Sequence, residues 1–283
     1  MSNLNFKAMK RTSLIFAAGL MMMAAISFTS CQKDDEQDPV IAQVAEDSDV
    51  DSYYDDVMTE VDELTLVCDS KDSQMIYATL GGQGTRTRKT SWDGNCQVDS
   101  ITYNNFVNAN SCFERVKNGL IVIRTCGRYN EAEFERTITF KNFTINGNLI
   151  EGTKVIRKTA EHKYQITLTN GKITFTDGTT YTRNVERTRT WVDGYDTPFN
   201  IWDDVYTLEG SATGVNRQGN AYTHQIKSAL MFRLSCRWII QGVIEITVGD
   251  KQVAIDYGNG ECDNIAYVTV NGKTYEVKLR GGK

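Results

Sequence analysis

From about Met75 onward, short runs of alternating apolar and polar residues are separated by glycine and asparagine. Early runs are Leu120-Ile121-Val122-Ile123, Thr137-Ile138-Thr139-Phe140, Lys154-Val155-Ile156, Tyr164-Gln165-Ile166-Thr167-Leu168 and Ile173-Thr174-Phe175. Later ones are Val243-Ile244-Glu245-Ile246, Val253-Ala254-Ile255, Tyr267-Val268-Thr269-Val270 and Tyr275-Glu276-Val277-Lys278-Leu279. Alternation with period two marks a strand with one face buried. The pairs Asn118-Gly119, Asn146-Gly147, Asn170-Gly171, Asp177-Gly178 and Asn271-Gly272 punctuate the pattern. Asn and Gly tolerate the positive φ of two-residue hairpins, so these pairs are read as tight turns. The pattern predicts an all-β antiparallel meander.

One stretch qualifies that picture. Across residues 180–191 one face reads Tyr181, Arg183, Val185, Arg187, Arg189, Trp191. The other reads Thr180, Thr182, Asn184, Glu186, Thr188, Thr190. A sandwich strand shows one apolar side, and neither of these is one. The strand is therefore expected to be wetted on both sides, in an elongated, curved or partly single-layer sheet. A two-sheet β-sandwich is the alternative. Before the strands, Tyr54, Val57, Met58, Val61 and Leu64 recur at helical spacing with acids between them. That predicts one short amphipathic helix over 52–67 that packs on the body.

The first residues follow a different logic. Lys7, Lys10 and Arg11 precede an uncharged apolar run over 14–28. This is the layout of a secretory signal, and the run is shorter than the roughly 20 residues of a membrane span. Phe28-Thr29-Ser30-Cys31 follows and resembles a lipobox, where bacterial lipoproteins are cleaved and their new terminal cysteine is acylated. Phe28 stands where Leu is usual. Lys33-Asp34-Asp35-Glu36 resembles the surface-export signal of Bacteroidota-type lipoproteins. The resemblance implies acylation of Cys31, anchorage in the outer membrane and display toward the cell exterior. The expected organisation is a signal peptide over 1–30, an acidic tether over 31–51 and a β-rich ectodomain over 52–283. Cys236-Arg237-Trp238, the loop 256–264 and Val270-Asn271-Gly272-Lys273-Thr274-Tyr275 resemble the tail of uncharacterised lipoproteins of the same bacterial group. That likeness implies class and address, and no activity.

Charge narrows the partners. The chain carries 31 basic and 36 acidic residues, a net of −5. Loss of Lys7, Lys10 and Arg11 leaves 28 against 36, or −8. A nucleic-acid binder shows a basic face, so nucleic acid is not an expected partner. The membrane, through the lipid anchor, and a glycan or protein ligand are. Six cysteines lie beyond Cys31, and an even number in an exported chain is read as disulfides. Cys112 and Cys126 flank Lys117-Asn118-Gly119 almost symmetrically, and Cys236 and Cys262 flank a late two-strand unit. These are the two expected pairs.

Candidate chemistry is sparse. Asp256, Asn259, Glu261 and Asp263 place oxygen ligands among glycines, a pattern that suits Ca²⁺ without matching an EF-hand. No other cofactor is expected. Arg183, Arg187 and Arg189, with Trp191 and Trp202, are candidate contacts for an anionic or sugar ligand. Tyr195 and Phe199 join Trp191 and Trp202 as exposed aromatics around one connector. The chain has no GxSxG elbow, HExxH helix or P-loop, and only two histidines. The expected function is a non-catalytic binding or scaffold module, with a glycan-binding accessory protein and a hydrolase as successive alternatives.

Overall fold

A computed structural model describes residues 50, 53, 54, 57, 74–77, 83–107, 115–129, 131–197, 200, 202–236 and 238–279, with 74–77 as backbone. Cys31, the tether and Phe199 lie outside the described residues, as does most of the 52–67 segment. Val50, Tyr53, Tyr54 and Val57 have helical backbone.

The rest is strand and connector. β1 is Gln74–Tyr77, β2 Thr85–Asp93, β3 Cys96–Val107, β4 Val116–Cys126 and β5 Glu135–Ile145. β6 is Asn148–Ala160, β7 Lys163–Thr174, β8 Thr180–Asp193, β9 Val205–Val215 and β10 Ala221–Arg233. β11 is Ile239–Val248, β12 Lys251–Asn259, β13 Ile265–Val270 and β14 Lys273–Lys278. All fourteen form one antiparallel sheet in sequence order, and β1 does not pair with β14, so the sheet is not closed. The all-β antiparallel meander is thus the observed architecture.

One face of the sheet is buried. Ile101, Phe106, Ile121, Ile138, Phe143, Ile150, Tyr164 and Tyr181 form one core, joined by Val50, Tyr54 and Val57. Leu230, Ile244, Ile255, Val268 and Val277 belong to a second core on the C-terminal strands. Tyr54 donates its hydroxyl to the Glu151 carbonyl at 2.9 Å, and Asn148 Nδ2 donates to the Tyr53 hydroxyl at 3.0 Å. Burial pushes the Tyr54 phenol well above its ordinary range, with the nearby Arg183 charge working against it.

Two of the pairs read as turns are not turns. Asn118-Gly119 lies inside β4 and Asn170-Gly171 inside β7, each at a register shift. Asn105, Asn142 and Asn170 take positive φ (46°, 47° and 53°) at neighbouring shifts, as do Gly119 and Gly152. These bulges run across adjacent strands. A bulge bends its strand and raises local twist. The positive φ that suits a hairpin equally suits the bulge, which is why the sequence signal was ambiguous.

The two ends of the sheet differ. At one end, residues 146–147, 249–250 and 271–272 close hairpins as two-residue turns, and 175–179 and 216–220 are five-residue connections. The opposite end carries the two-residue turns 94–95 and 161–162 together with the longer connectors 127–134, 194–204, 234–238 and 260–264. Both disulfides are at that second end.

Candidate functional site

The inward row of β8 links the sheet interior to the long-connector end. Tyr181, Arg183, Arg187 and Trp191 are buried on it, while Val185 and Arg189 are half-buried. This corrects the sequence reading, which placed the arginine face in water. Arg183 is only 1% exposed. Its Nη2 donates to His224 Nδ1 at 3.1 Å, and its Nη1 reaches the Tyr222 hydroxyl at 3.5 Å. Arg has no acceptor, so His224 Nδ1 accepts and the ring is neutral with its proton on Nε2.

Aromatic rings accommodate the next guanidinium. Arg189 lies 5.5 Å from the centroids of Tyr164 and Tyr206 and 6.0 Å from that of Tyr129, and it donates to the Tyr129 hydroxyl. The negative ring faces supply cation–π attraction where water is excluded. Burial raises the Tyr164 and Tyr206 phenols far above their ordinary range. Sequence alternation alone could not identify this interior, because the stabilising partners come from β7, β9, β10 and the β4–β5 connector. On the exposed side, Glu135 of β5 holds Arg157 of β6 at 2.6 Å.

Trp191 stacks on Tyr206 at 5.6 Å and presents its edge to Tyr195 and His162 at 6.3 and 6.1 Å. It is 5% exposed, so it is not a surface platform as expected. Tyr195 and Trp202 are, at 46% and 64% exposed. The Tyr195 ring stacks on His162, centroids 4.2 Å apart. His162 escaped sequence reasoning; it occupies the tight β6–β7 turn at φ 56°.

Below this rim, Tyr206 donates to Asp204 Oδ2 at 3.2 Å. Burial, reinforced by the neighbouring Asp203 charge, pushes the Asp204 carboxyl up to about 6. Asp203 is held apart by Thr197, whose Oγ1 lies 2.9 Å from its carboxylate.

The remaining candidates separate. Cys236 and Cys262 form one disulfide; Cys126 pairs with Cys96, in place of the expected Cys112. The expectation placed a hairpin at Asn118-Gly119, where the chain has a bulge. Cys96 and Cys126 are instead directly opposed across β3 and β4, their Cα atoms 4.3 Å apart. Cys112 lies outside the described residues. Asp256 Oδ1 accepts the Gly258 amide and Asp263 Oδ1 the Ile265 amide, both at 2.9 Å. Among the described residues no group of three or more His, Cys, Asp or Glu side chains is placed to hold a metal ion.

Comparison with family models, curated proteins and solved structures finds no match.

Proposed function

We propose that the chain is a surface lipoprotein of the bacterial outer membrane, anchored through acylated Cys31, whose curved and partly single-layer sheet is a non-catalytic binding module. Its contact face is the long-connector end. The observation that carries this is the unequal furnishing of the two ends. All four tryptophans, Trp92, Trp191, Trp202 and Trp238, lie at or beside that end. So do both disulfides. Loops held on a rigid sheet are where binding residues concentrate, and tryptophan is the side chain that contributes most per residue to a contact.

The arginine-lined interior supports rigidity of the platform, since its side chains are buried against aromatic rings. Mass spectrometry of the natural protein tests the anchor, with an acylated Cys31 terminus expected. Protease treatment of intact cells tests the address. A sheet that stays protected until the outer membrane is opened refutes surface display.

A further inference from the structure

Resting on that assignment of the contact face, we infer that the β8–β9 connector is a subsite for a neutral sugar ring, built from Tyr195 and Trp202. The Tyr195 ring packs one face on His162, at an interplanar angle of 25°. With that face covered and the side chain 46% exposed, its other face is left to solvent. Trp191 fixes it from the side at 90°. Trp202 projects from the same connector with 64% of its surface exposed.

The described residues of the connector are tied to one another by hydrogen bonds. The Thr197 amide donates to the Gly194 carbonyl at 3.2 Å and the Asn200 amide to the Thr197 carbonyl at 2.9 Å. Asn200 Oδ1 accepts the Trp202 amide at 3.2 Å, and Thr197 Oγ1 braces Asp203. Rings held this way lose little further freedom when a ligand arrives.

The chemistry selects the ligand class. An aromatic face carries negative charge density and attracts the slightly positive C–H groups of a flat saturated ring. A pyranose presents such a face, with a rim of hydroxyl donors. Asp193 at the end of β8, Asp196 and Asp203 on the connector and Glu161 on the neighbouring turn are acceptors for such donors. These four acids outnumber Lys163, Arg233 and His162 beside them, so the local field disfavours carboxylated or sulfated sugars.

The test uses the full chain bearing Cys31→Ala. Cello-, manno-, malto- and chitohexaose are titrated by calorimetry, with hexagalacturonate as the acidic probe. At least one neutral hexaose is expected to bind more tightly than the acidic one. Tyr195→Ala and Trp202→Ala are each expected to weaken it roughly tenfold, the loss of a single stacking contact. Tyr275→Ala, which removes an exposed aromatic from β14 beside the 271–272 turn, is expected to leave it unchanged. Failure of all four neutral hexaoses, a preference for hexagalacturonate, or binding indifferent to both substitutions overturns the subsite. Binding of a protein ligand that is lost in the Tyr195→Ala, Trp202→Ala double variant also overturns it, yet leaves the contact face standing. Neutral-sugar binding that survives the double variant and is lost on substitutions at the end carrying 146–147, 249–250 and 271–272 overturns both.

Discussion

Arg183 Nη2 stands 3.1 Å from His224 Nδ1 in the sheet interior, and neither side chain is more than 1% exposed. The geometry requires a neutral imidazole that accepts. Arg183→Ala removes the donor and leaves a void beside a buried ring, at an expected cost of about 3 kcal/mol. Arg183→Lys keeps the charge but loses the planar fork, so it also destabilises. Arg183→Met keeps most of the volume without the charge and is expected to be the mildest of the three. Urea unfolding of the three variants checks the order; Arg183→Met as the worst of them refutes the paired-guanidinium account.

The Cys96–Cys126 bond closes a loop of 30 residues between adjacent strands. Chain entropy gives about 3–4 kcal/mol for a loop of that length. Cys126→Ser is therefore expected to lower the unfolding midpoint markedly, and Cys112→Ser to leave the Cys96–Cys126 linkage intact. Peptide mapping without reduction reads both. A Cys112–Cys126 peptide would falsify the assignment.

These cases show how far the sequence reaches. Period-two alternation located the strands, because each strand buries one face and the pattern is local. The Cys236–Cys262 pair was equally legible, as its two cysteines flank a unit that the alternation defines. Asn118-Gly119 misled, since positive φ serves a hairpin and a bulge alike, and the error carried into the pairing of Cys126. The β8 row misled for a different reason. Arginine reads as solvated until its partners are known, and Tyr129, Tyr164, Tyr206 and His224 come from four separate parts of the chain. Tyr195 and Trp202 were legible as exposed aromatics. His162, the base of the Tyr195 stack, was not, because only the fold brings the β6–β7 turn beside the β8–β9 connector.

Gly119 and Gly178 separate strain from crowding. Both hold positive φ, 99° and 83°. A Cβ at Gly119 falls 2.1 Å from the Asn142 carbonyl oxygen, whereas one at Gly178 meets nothing within 4 Å. Gly178→Ala is expected to cost about 1 kcal/mol, the conformational term alone. Gly119→Ala must also push β4 and β5 apart at the bulge and is expected to cost at least about 3 kcal/mol. Thermal unfolding of the two variants measures the gap; equal costs refute close strand approach at the seam.

Asp204 gives the protein a pH-dependent term of defined sign. Its carboxyl is raised from 3.8 to about 6, chiefly by burial. The folded state thus binds a proton more readily than the unfolded chain. This group's contribution favours folding fully below about pH 4 and is lost as pH rises through 6. Asp204→Asn removes the ionisation while keeping an acceptor for the Tyr206 hydroxyl, which now lies 3.2 Å from Asp204 Oδ2. The variant is expected to melt a few degrees above the wild type at pH 7.5, with the difference shrinking or reversing at pH 4.5. Comparison with the variant cancels the other carboxylates, including Asp177, whose exposed carboxyl is lowered by its Thr179 hydrogen bonds and by Arg217 and so acts in the opposite sense. A difference in melting temperature that stays constant from pH 4.5 to 7.5 would show that Asp204 is ionised in the fold at its ordinary pKa, and that burial beneath Trp191 and Tyr206 does not hold its proton.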